Sequence, residues 1–410
     1  MKKIIVVGAG FAGLNAILEL EKRFRKNLEV SLTLVDREDY HLFTPNLYEV
    51  ATAEEEFTSV AQVKSSVVLP LSQIIGRKRI VFIKGELTEL DSQARKLKVG
   101  IRTLEYDYLI LALGDRPDFS RVEGAQEYAL TLSGLPGALR IRNALEFAVQ
   151  AASHEVQRGT LRVVVVGGGY VAVKFAGELK SFLDILSWKY GYPRERLEIM
   201  IAESSDRLVT GLGKDFGRQV LERLTALGVR TEFHHHAVKF DHHFVEFLNG
   251  ERMSYDVLVW SLGTAASSLP GPMVLPKTLA GRLEVDEYLK VKQAANIFAA
   301  GNMAQVLDRH GQPVPRSAAV AAEQGRYVAQ ALTCLMQNQK PRAYSLGFYA
   351  VTLRVGGKWG VLQTRRWLLA GYFAYWADLY FHFRHYWRLL GFGPAVRYVF
   401  REKEIFSRND

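Results

Sequence analysis

Two runs of consecutive apolar residues, each followed at once by glycines, set the pattern of this chain. Residues 3–7 (KIIVV) lead into residues 8–13 (GAGFAG), and residues 162–166 (RVVVV) lead into residues 167–172 (GGGYVA). A continuous β-branched run is typical of a parallel strand buried on both faces. The glycines permit a sharp turn close to a pyrophosphate, and the next helix directs its N-terminal amides at the phosphates. The pattern therefore predicts two dinucleotide sites in βαβ units, about 160 residues apart.

A carboxylate follows the second predicted strand of each half. Residues 30–35 lead to Asp36, 23 residues beyond the first glycine motif, and residues 197–202 lead to Glu203. A carboxylate at this offset accepts hydrogen bonds from an adenosine ribose, although an Asp at a strand end can also be only a turn or cap residue. Because Glu203 would repel a 2′-phosphate, we expect NADH rather than NADPH at the second site. Arg207, close in sequence, acts in the opposite sense.

Further apolar runs assign both halves to the α/β class. Residues 106–114 (YDYLILALG) and residues 295–302 (ANIFAAGN) each predict a buried strand that ends near a glycine. Helices are predicted after each glycine motif. Strands that alternate with helices are typical of Rossmann-like domains with a parallel sheet, so the sequence predicts two such dinucleotide-binding domains.

Aromatic residues dominate the last part of the chain, with eleven between Trp367 and Phe392. A helical projection places an apolar arc on one side, formed by Tyr372, Trp376, Leu379, Tyr380, Phe383, Trp387 and Leu390. Mostly opposite this arc lie Asp378, His382, Arg384, His385 and Arg388. Ionisable groups interrupt the segment too often for a bilayer span. It predicts an amphipathic helix lying in an anionic membrane interface, or alternatively a helix packed on its own domain or a dimer partner.

Composition narrows the class of protein. Hydrophobic residues make up 48% of the 410 residues, which is typical of a folded protein. Cys334 is the single cysteine, which excludes disulfides, cysteine metal sites and flavoenzymes with a redox-active cysteine pair. The formal charge of +10 is compatible with nucleic acid, an anionic membrane or acidic ligands. Residues 365–410 hold eight Lys/Arg against four Asp/Glu, so we favour a membrane and expect no nucleic acid partner. We also expect no signal peptide, because residues 1–3 lead straight into the first strand.

Five histidines raise the question of a metal site. They lie in a predicted hairpin over residues 229–240 and 244–248, at His234, His235, His236, His242 and His243. Strand alternation would put His234 and His236 on one face, but no carboxylate or cysteine is spaced to complete a site. We interpret these histidines as solvated strand residues and expect no metal.

The strands that end near glycine resemble those of flavoproteins with two dinucleotide-binding domains, of the glutathione-reductase type. Leu113-Gly114 resembles the Ala-Thr-Gly linker strand of that superfamily, and Gly301-Asn302 resembles the Gly-Asp whose carboxylate holds the ribityl chain of FAD. The resemblance implies FAD at the first site and NADH at the second. Asn302 departs from the pattern, because an amide lacks the charge-assisted hydrogen bonding of a carboxylate. We therefore expect FAD to bind, more weakly than is usual.

Three segments resemble the type II NADH dehydrogenases, single-subunit flavoenzymes that reduce membrane quinone. Residues 41–52 (HLFTPNLYEVAT) resemble the family segment His-x-Phe-x-Pro-Leu-Leu-Tyr-x-Val-Ala-Thr. Residues 130–142 (LTLSGLPGALRIR) resemble the family's linker, and residues 314–325 (VPRSAAVAAEQG) resemble its segment at the quinone site. By itself the last stretch is also compatible with a helix start whose small residues pack on a sheet.

This chain departs from the family at the quinone segment and at the second nucleotide site. Ala319 and Glu323 replace family glutamines, so hydrogen bonding to a quinone carbonyl by those side chains is in doubt. Lys174 replaces a family Glu near where nicotinamide and flavin would meet. A buried Lys becomes neutral or pairs with a carboxylate, and Glu178, one helical turn on, is the candidate partner. Lys174 could stabilise anionic reduced flavin, reshape the NADH pocket or mark the loss of the usual reaction.

The motifs and the resemblance together give the predicted site residues. The catalytic candidates are Lys174, Glu323 and Gln324. The predicted FAD contacts are Gly8, Gly10, Phe11, Ala12, Gly13, Asp36, Arg37, Pro45, Leu87, Ala112, Leu113, Gly114, Gly301, Asn302 and Ala318. The predicted NADH contacts are Gly167, Gly169, Tyr170, Val171, Glu203 and Gly263.

The predicted domains are an FAD-binding domain over residues 1–118 and 266–330, an NADH-binding domain over residues 119–265, and a C-terminal region over residues 331–410 for membrane anchoring and dimerisation. The leading hypothesis is a homodimeric, monotopic enzyme on the cytoplasmic face of the membrane. It would transfer hydride from NADH to FAD and two electrons to membrane quinone without pumping protons. Alternatives are a flavin NADH oxidoreductase with another acceptor, or a degenerate nucleotide-binding regulatory protein. Sulfide:quinone reductases share the fold, but their cysteines are missing here.

Overall fold

The computed structural model describes residues 1–53, 60–155, 159–270, 275–347 and 349–406, which form two compact units. The first unit comprises Met1–Leu42, Val68–Arg116 and Thr264–Gly347. The second comprises Phe43–Val67, Pro117–Gly263 and residues 349–406. The division differs from the predicted domains in three respects. Residues 331–347, which were predicted to be in the C-terminal region, belong to the first unit. The segment that begins at Phe43 belongs to the second unit, and the residues from 349 onward belong to that unit as well.

The helices are given in chain order. They are α1 Phe11–Phe24, α2 Leu47–Ala51, α3 Val60–Val67, α4 Leu71–Ile75, α5 Ala125–Tyr128, α6 Gly134–His154, α7 Tyr170–Tyr190, α8 Lys214–Ala226, α9 Ala318–Met336, α10 Tyr372–Leu390 and α11 Phe392–Phe406. Short 3₁₀ turns occupy Thr44–Asn46, Arg194–Arg196 and Gly301–Met303.

The strands, again in chain order, are β1 Lys2–Val7, β2 Val30–Asp36, β3 Tyr40–Leu42, β4 Val68–Pro70, β5 Val81–Lys84, β6 Leu87–Asp91, β7 Lys96–Val99, β8 Arg102–Glu105, β9 Tyr108–Leu111, β10 Asp115–Pro117, β11 Leu130–Thr131, β12 Leu161–Val166, β13 Leu197–Ala202, β14 Val229–Glu232, β15 Ala237–Phe240, β16 Phe244–Phe247, β17 Arg252–Ser254, β18 Val257–Trp260, β19 Thr264–Ala266, β20 Leu283–Glu284, β21 Ile297–Ala299, β22 Ala304–Gln305, β23 Val351–Arg354, β24 Gly360–Gln363 and β25 Leu368–Gly371.

Five parallel strands form the main sheet of the first unit, in the order β21-β9-β1-β2-β5. The apolar run of β1 lies at its centre, where Ile4 and Val6 are fully buried. Helices α1 and α9 pack against each other in the same unit. A Cβ atom at Gly325 would lie 2.0 Å from the carbonyl oxygen of Ala12. Gly325 therefore serves close packing of α9 against a helix, not against a sheet as the alternative interpretation had it.

The second unit repeats this plan with the parallel order β11-β18-β12-β13-β14. Its central strand, β12, carries the second apolar run, and Val163, Val164 and Val165 are fully buried. Each glycine motif thus follows the central strand of its own sheet, at the carboxyl edge where open α/β sheets bind ligands. The predicted α/β class with two Rossmann-like units is confirmed.

The C-terminal part of the second unit begins with the antiparallel sheet β23-β24-β25 and continues into α10 and α11. The sequence predicted helix from Trp367, but Leu368–Gly371 pairs as β25 and the helix begins at Tyr372. Gly371, with φ of +103°, provides the change of direction between them. None of the helices in the described ranges is long and apolar enough to cross a membrane.

The histidine-rich segment also differs from its predicted hairpin. β14 ends at Glu232 and joins the parallel sheet, whereas the hairpin is formed by β15 and β16. His234, His235 and His236 therefore lie in a connection and not on one strand. The φ angle of +60° at His234 breaks the alternation on which the prediction relied.

Candidate functional site

The first glycine turn follows β1. Gly8 has φ of +106°, and a Cβ atom there would lie 2.3 Å from the Ala112 carbonyl oxygen. At Gly13 a Cβ atom would lie 1.8 Å from the Gly8 carbonyl oxygen, so neither position can carry a side chain. Gly10 is different, because a Cβ atom there would meet no described atom within 4 Å. It precedes α1 without a side-chain cap, which leaves the first amides of the helix available to a phosphate.

Asp36 is held beside this turn by the backbone. Its Oδ2 atom accepts a hydrogen bond from the Ala9 amide at 2.5 Å, and its Oδ1 atom accepts one from the Glu38 amide at 2.8 Å. Burial raises the pKa of Asp36, while the two amide hydrogen bonds act in the opposite direction. The carboxylate is therefore fixed at the strand end, the position from which this kind of site binds an adenosine ribose.

The second glycine turn has the same construction. Gly167 also has φ of +106°, and a Cβ atom there would lie 2.8 Å from the Ser261 carbonyl oxygen. Glu203 is buried, and its Oε2 atom accepts a hydrogen bond from the Gly168 amide at 2.5 Å. Its Oε1 atom accepts one from the Ser205 amide at 2.7 Å. Gly168 and Glu203 thus repeat the relationship of Ala9 and Asp36.

Both turns fit a dinucleotide. A Cβ atom at Gly169, like one at Gly10, would meet no described atom within 4 Å, so each turn leaves open space where a side chain would otherwise stand. Each helix starts without a side-chain cap, and each turn has an anchored carboxylate beside it. Tyr170 and Val171, predicted at the second site, are exposed at the start of α7.

His41 supports the first turn, a role that sequence reasoning did not assign. Its Nδ1 atom lies 2.9 Å from the Ala9 carbonyl oxygen and donates a hydrogen bond to it, since a carbonyl can only accept one. Full burial lowers the pKa of His41 to about 4, so the ring is neutral near pH 7. Phe11, a predicted FAD contact, packs edge-on against it with ring centroids 4.8 Å apart. The sequence signal for this role was His41 itself, the first residue of the aromatic segment at residues 41–52.

Asn302 donates its side-chain amide to Asp115 Oδ2 at 3.0 Å. The resemblance implies a carboxylate at position 302, and in this chain the carboxylate is present on the neighbouring strand end. Arg282, which is almost fully buried, donates to the Asn302 carbonyl oxygen and to the Thr264 carbonyl oxygen, the latter at 2.7 Å. Burial lowers the pKa of Arg282, and Asp115 acts to raise it. Neither Asp115 nor Arg282 was predicted as a site residue, because each belongs to no motif.

The two catalytic candidates on α9 have different environments. Gln324 is buried, and its Oε1 atom accepts a hydrogen bond from the Gly301 amide at 2.8 Å. That bond supports the turn that carries Asn302. Glu323 is partly exposed and accepts a hydrogen bond from the Tyr344 hydroxyl at 2.5 Å. The predicted catalytic role of each residue stays a prediction.

Lys174 lies on α7 and directs its Nζ atom toward Tyr48, 5.2 Å from the ring centroid. The sequence offered Glu178 as its partner. In the structure, burial acts to raise the pKa of Asp378, and Lys174 lowers that pKa more than any other neighbouring charge does. Asp378 lies on α10, which sequence spacing on α7 could not reveal.

The other predicted contacts are distributed as follows. Ser267 donates hydrogen bonds to the carbonyl oxygens of Leu113 and Gly114, at 3.0 and 3.1 Å. Ala318 begins α9, after the N-cap Ser317. The Gly263 carbonyl oxygen accepts from the Asp118 amide at 3.3 Å. Arg37 is exposed next to Asp36, Leu87 is buried in β6, and Pro45 lies in a segment of the second unit.

No group of three or more metal-ligating side chains occurs in the described part of the chain. His235 contacts Glu251 through Nε2 at 2.8 Å and the Phe233 carbonyl oxygen through Nδ1 at 2.7 Å. His242 packs edge-on against Tyr128. These contacts are those of individual histidines at a surface.

The family described as pyridine nucleotide-disulphide oxidoreductase matches residues 2–325. Curated relatives include the type II NADH:quinone oxidoreductase of Staphylococcus saprophyticus, 24% identical over 344 residues, which cover 82% of this chain and 83% of the relative. The same enzyme of Staphylococcus aureus is 24% identical over 349 residues, which cover 84% and 85%. These relatives confirm the resemblance that the motifs indicated.

Solved structures show the same fold. The NDH2 of Plasmodium falciparum in complex with NADH is 18% identical, with a TM-score of 0.85 over 99% of both chains. The sulfide:quinone oxidoreductase of Aquifex aeolicus is 18% identical, with a TM-score of 0.77 over 99% of this chain and 95% of that chain.

Proposed function

The chain belongs to the pyridine nucleotide-disulphide oxidoreductase family, and we propose that it is an FAD-dependent NADH:quinone oxidoreductase that works on the surface of a membrane without pumping protons. When bound, FAD accepts hydride from NADH and supplies two electrons to the quinone. The chain itself would bind the two dinucleotides and orient them. The turn at Gly8, Gly10 and Gly13 with Asp36 would hold FAD. The turn at Gly167 and Gly169 would hold NADH.

NADH is the proposed donor because of Glu203. Both of its carboxylate oxygens are already fixed by backbone amides, so the side chain cannot swing away from an incoming phosphate. Free ribose hydroxyls can donate to it, whereas a 2′-phosphate would be repelled. Arg207 is engaged with the Thr210 carbonyl oxygen at 3.2 Å.

The orientation of α10 is the observation that carries the membrane proposal. Its exposed residues include Tyr372, Trp376, Tyr380 and Trp387, which are 44–58% exposed. Asp378 and His382, which the helical projection placed on the polar side, are buried at 3% and 5%. A water-facing amphipathic helix has the opposite arrangement. An exposed aromatic face of this kind supports binding in a lipid interface.

The basic residues near this face support an anionic lipid surface. Arg384, Arg388 and Arg397 are exposed on α10 and α11. Each would add about 1 kcal/mol of salt-sensitive attraction near an anionic leaflet. Such lipid lies on the cytoplasmic side of many membranes, so we place the protein there. The alternative of a helix packed on its own domain applies to the side that carries Asp378 and His382, which are buried, and not to the aromatic face.

A homodimer is also proposed, and a partner copy is the competing occupant of the aromatic face. Light scattering in the presence and absence of anionic vesicles separates the two. Binding of the dimer to vesicles would place the dimer contact elsewhere. A dimer that ignores vesicles would assign the face to the partner.

The activity is tested with the full-length protein. It should be yellow from non-covalent FAD, its flavin should be bleached faster by NADH than by NADPH, and a quinone should restore the colour. Glu203→Ala should narrow the preference for NADH. Bleaching that only a small electron carrier reverses would favour another acceptor. A protein that stays colourless with added FAD would favour a regulatory role.

A further inference from the structure

A chain of buried charged side chains runs through the second unit. Arg354 Nη1 donates to Glu49 Oε1 at 2.7 Å and lies 3.8 Å from Glu402 Oε1. His382 continues the chain, with Nδ1 at 2.8 Å from Glu402 Oε1 and Nε2 at 3.4 Å from Asp378 Oδ2. All five residues are at most 5% exposed. We call this set the buried charge chain.

Four separate elements supply the buried charge chain. Glu49 comes from α2, Arg354 from β23, Asp378 and His382 from α10, and Glu402 from α11. A buried ionic group is costly unless it is paired and hydrogen-bonded. Apolar residues of similar size would pack the four elements together without this cost. The buried charges therefore indicate a role beyond packing.

Several polar atoms of this region have no hydrogen-bond partner among the described residues although they are buried. They are Glu49 Oε2, Arg354 Nε and Tyr386 Oη. Buried polar atoms are normally satisfied by protein, by water or by a proton shared between them. Their concentration around one chain of contacts indicates internal water and a carboxyl group that carries a proton.

The charges identify which carboxyl group that is. Within ion-pair distance the three carboxylates of the chain face two cations, Arg354 and His382. Lys174 offsets the charge at the Asp378 end, where it lowers the pKa of that carboxyl. At the other end, burial and the carboxylates of Glu402 and Glu178 all oppose the charged form of Glu49, so Glu49 is the carboxyl group that carries the proton.

The groups that act on the charge of Glu49 lie on α2 itself and on α7, β23 and α11. Burial raises the pKa of Glu49 most, Arg354 lowers it, the carboxylates of Glu402 and Glu178 raise it, and the Tyr48 hydroxyl, which donates to Oε1 at 2.9 Å, lowers it. The resulting pKa of Glu49 is about 8. In contrast, contact with Glu402 and Asp378 raises the pKa of His382, against burial, and His382 and Arg354 lower that of Glu402.

We propose that Glu49 stores one exchangeable proton, held with internal water in the buried charge chain, and gives it up when the quinone is reduced. The release of this proton during quinone reduction rests on the proposed function. The balance is NADH + H⁺ + quinone → NAD⁺ + quinol. Two electrons and one proton arrive as hydride, so each turnover consumes one further proton. Loss of the proton from neutral Glu49 leaves a carboxylate, which solvent then reprotonates.

The storage site is tested by infrared spectroscopy on the oxidised full-length protein, without quinone. The wild type should show the carbonyl stretch of a protonated carboxyl at neutral pH, shifted in D₂O and lost as the pH is raised through the Glu49 pKa of about 8. Glu49→Gln should remove the band. Glu123→Gln, at a surface ion pair with Lys239, is the matched control and should keep it.

A second variant keeps the test valid if Glu49→Gln folds poorly. Glu402→Gln removes a negative neighbour that raises the Glu49 pKa, so the band should persist and its midpoint should move to lower pH. Absence of the band from the wild type, or its survival in a folded Glu49→Gln variant, would overturn the storage site. A midpoint that Glu402→Gln leaves unmoved would also count against it.

The donor role has its own measurement. With a water-soluble quinone, Glu49→Gln should lower kcat by about tenfold or more, while the KM for NADH and the rate of bleaching by NADH stay as in the wild type. The wild-type kcat should decline as the pH rises past the Glu49 pKa, and this decline should be absent from the variant. An unchanged kcat would overturn the donor role. A wild type that shows the band but reduces no quinone would overturn the proposed function and leave the storage site intact.

Discussion

The side-chain amide of Asn302 and the carboxylate of Asp115 are joined by a hydrogen bond of 3.0 Å. The resemblance implies a carboxylate at position 302, whereas in this chain position 302 carries the amide and the carboxylate of the pair belongs to Asp115. A carboxylate therefore lies beside position 302 although Asn302 itself departs from the family pattern. The pair can be tested by exchanging the residues at positions 115 and 302.

Asn302→Asp alone should therefore lower FAD content and thermal stability. It would place two carboxylates at hydrogen-bonding distance, where one must take up a proton or repel the other. We expect a cost of roughly 1–3 kcal/mol in unfolding free energy. The double variant Asp115→Asn with Asn302→Asp should recover most of the FAD content and of the thermal stability, because the hydrogen bond is restored with donor and acceptor reversed. Bound FAD is measured by absorbance after gel filtration, and Asp118→Asn is the control. Tighter FAD binding by Asn302→Asp would contradict this pairing.

The two open glycines allow the nucleotide sites to be separated. Gly10→Val should give a folded protein without FAD, because its side chain enters the space left for a pyrophosphate and touches no described atom of the protein. Gly169→Val should keep FAD and lose binding of NADH, measured by bleaching and by calorimetry. Gly13→Ala is the contrasting control, since its Cβ atom would overlap the Gly8 carbonyl oxygen and should unfold the turn. Loss of FAD from Gly169→Val would refute this assignment of the sites.

Lys174 should stabilise the protein through Asp378. Lys174→Met removes the neighbouring charge that lowers the Asp378 pKa most. We expect the unfolding free energy to fall by about 1–3 kcal/mol near neutral pH. Because the folded pKa of Asp378 lies below its ordinary value of 3.8, this stabilisation is present above that pH and is lost as the pH falls toward the folded pKa. The difference between the two proteins should therefore shrink in acid.

Urea unfolding of Lys174→Met, Asp378→Asn and the double variant measures this coupling. The two single effects should not add, with an interaction free energy of roughly 0.5–3 kcal/mol. Lys180→Met is the matched control, because it breaks an i,i+4 pair with Asp184 on the same helix and should cost at most about 1 kcal/mol. Additive effects at positions 174 and 378 would show that Lys174 acts elsewhere.

The nucleotide turns could be predicted from the sequence because each depends on local spacing. The strand, the glycines and the carboxylate lie within about 40 residues, and Asp36 and Glu203 occupy the predicted strand ends. The contacts of Lys174 and Glu49 could not be predicted in this way. Their partners Asp378 and Arg354 come from elements about 200 to 300 residues later, and periodicity carries no information on which remote charge a side chain meets.

The C-terminal helix shows a different limit of sequence reasoning. Its apolar arc was predicted correctly as a set of residues, and most of that set is exposed, with Leu379 as the buried exception. The projection could not decide which side faces the protein. Burial of Asp378 and His382 requires Arg354 and Glu402, and without knowledge of that pairing the polar side would be assigned to water.

Substitution of the exposed aromatic residues should detach the protein from membranes. The variant with Tyr372, Trp376 and Tyr380 all changed to Gln removes three rings that are 44–58% exposed and leaves the buried charge chain untouched. At roughly 25 cal/mol per Å² of apolar area, each ring would contribute on the order of 2 kcal/mol, so binding to anionic vesicles should weaken by at least about a hundredfold. Deletion of α10 is a poorer test, because it would also remove Asp378 and His382.

The matched control changes Phe147 and Trp188 to Gln, since these rings are more exposed, at 71% and 73%, but lie on α6 and α7. It should bind vesicles in a flotation assay as the wild type does, with the same sensitivity to salt. The triple variant should keep its FAD and its activity with a water-soluble quinone while losing activity with long-chain quinone in vesicles. Equal loss of vesicle binding in both variants would mean that general hydrophobicity, and not the face of α10, attaches the protein. Wild-type protein that stays in solution beside anionic vesicles at low salt would overturn the membrane proposal outright.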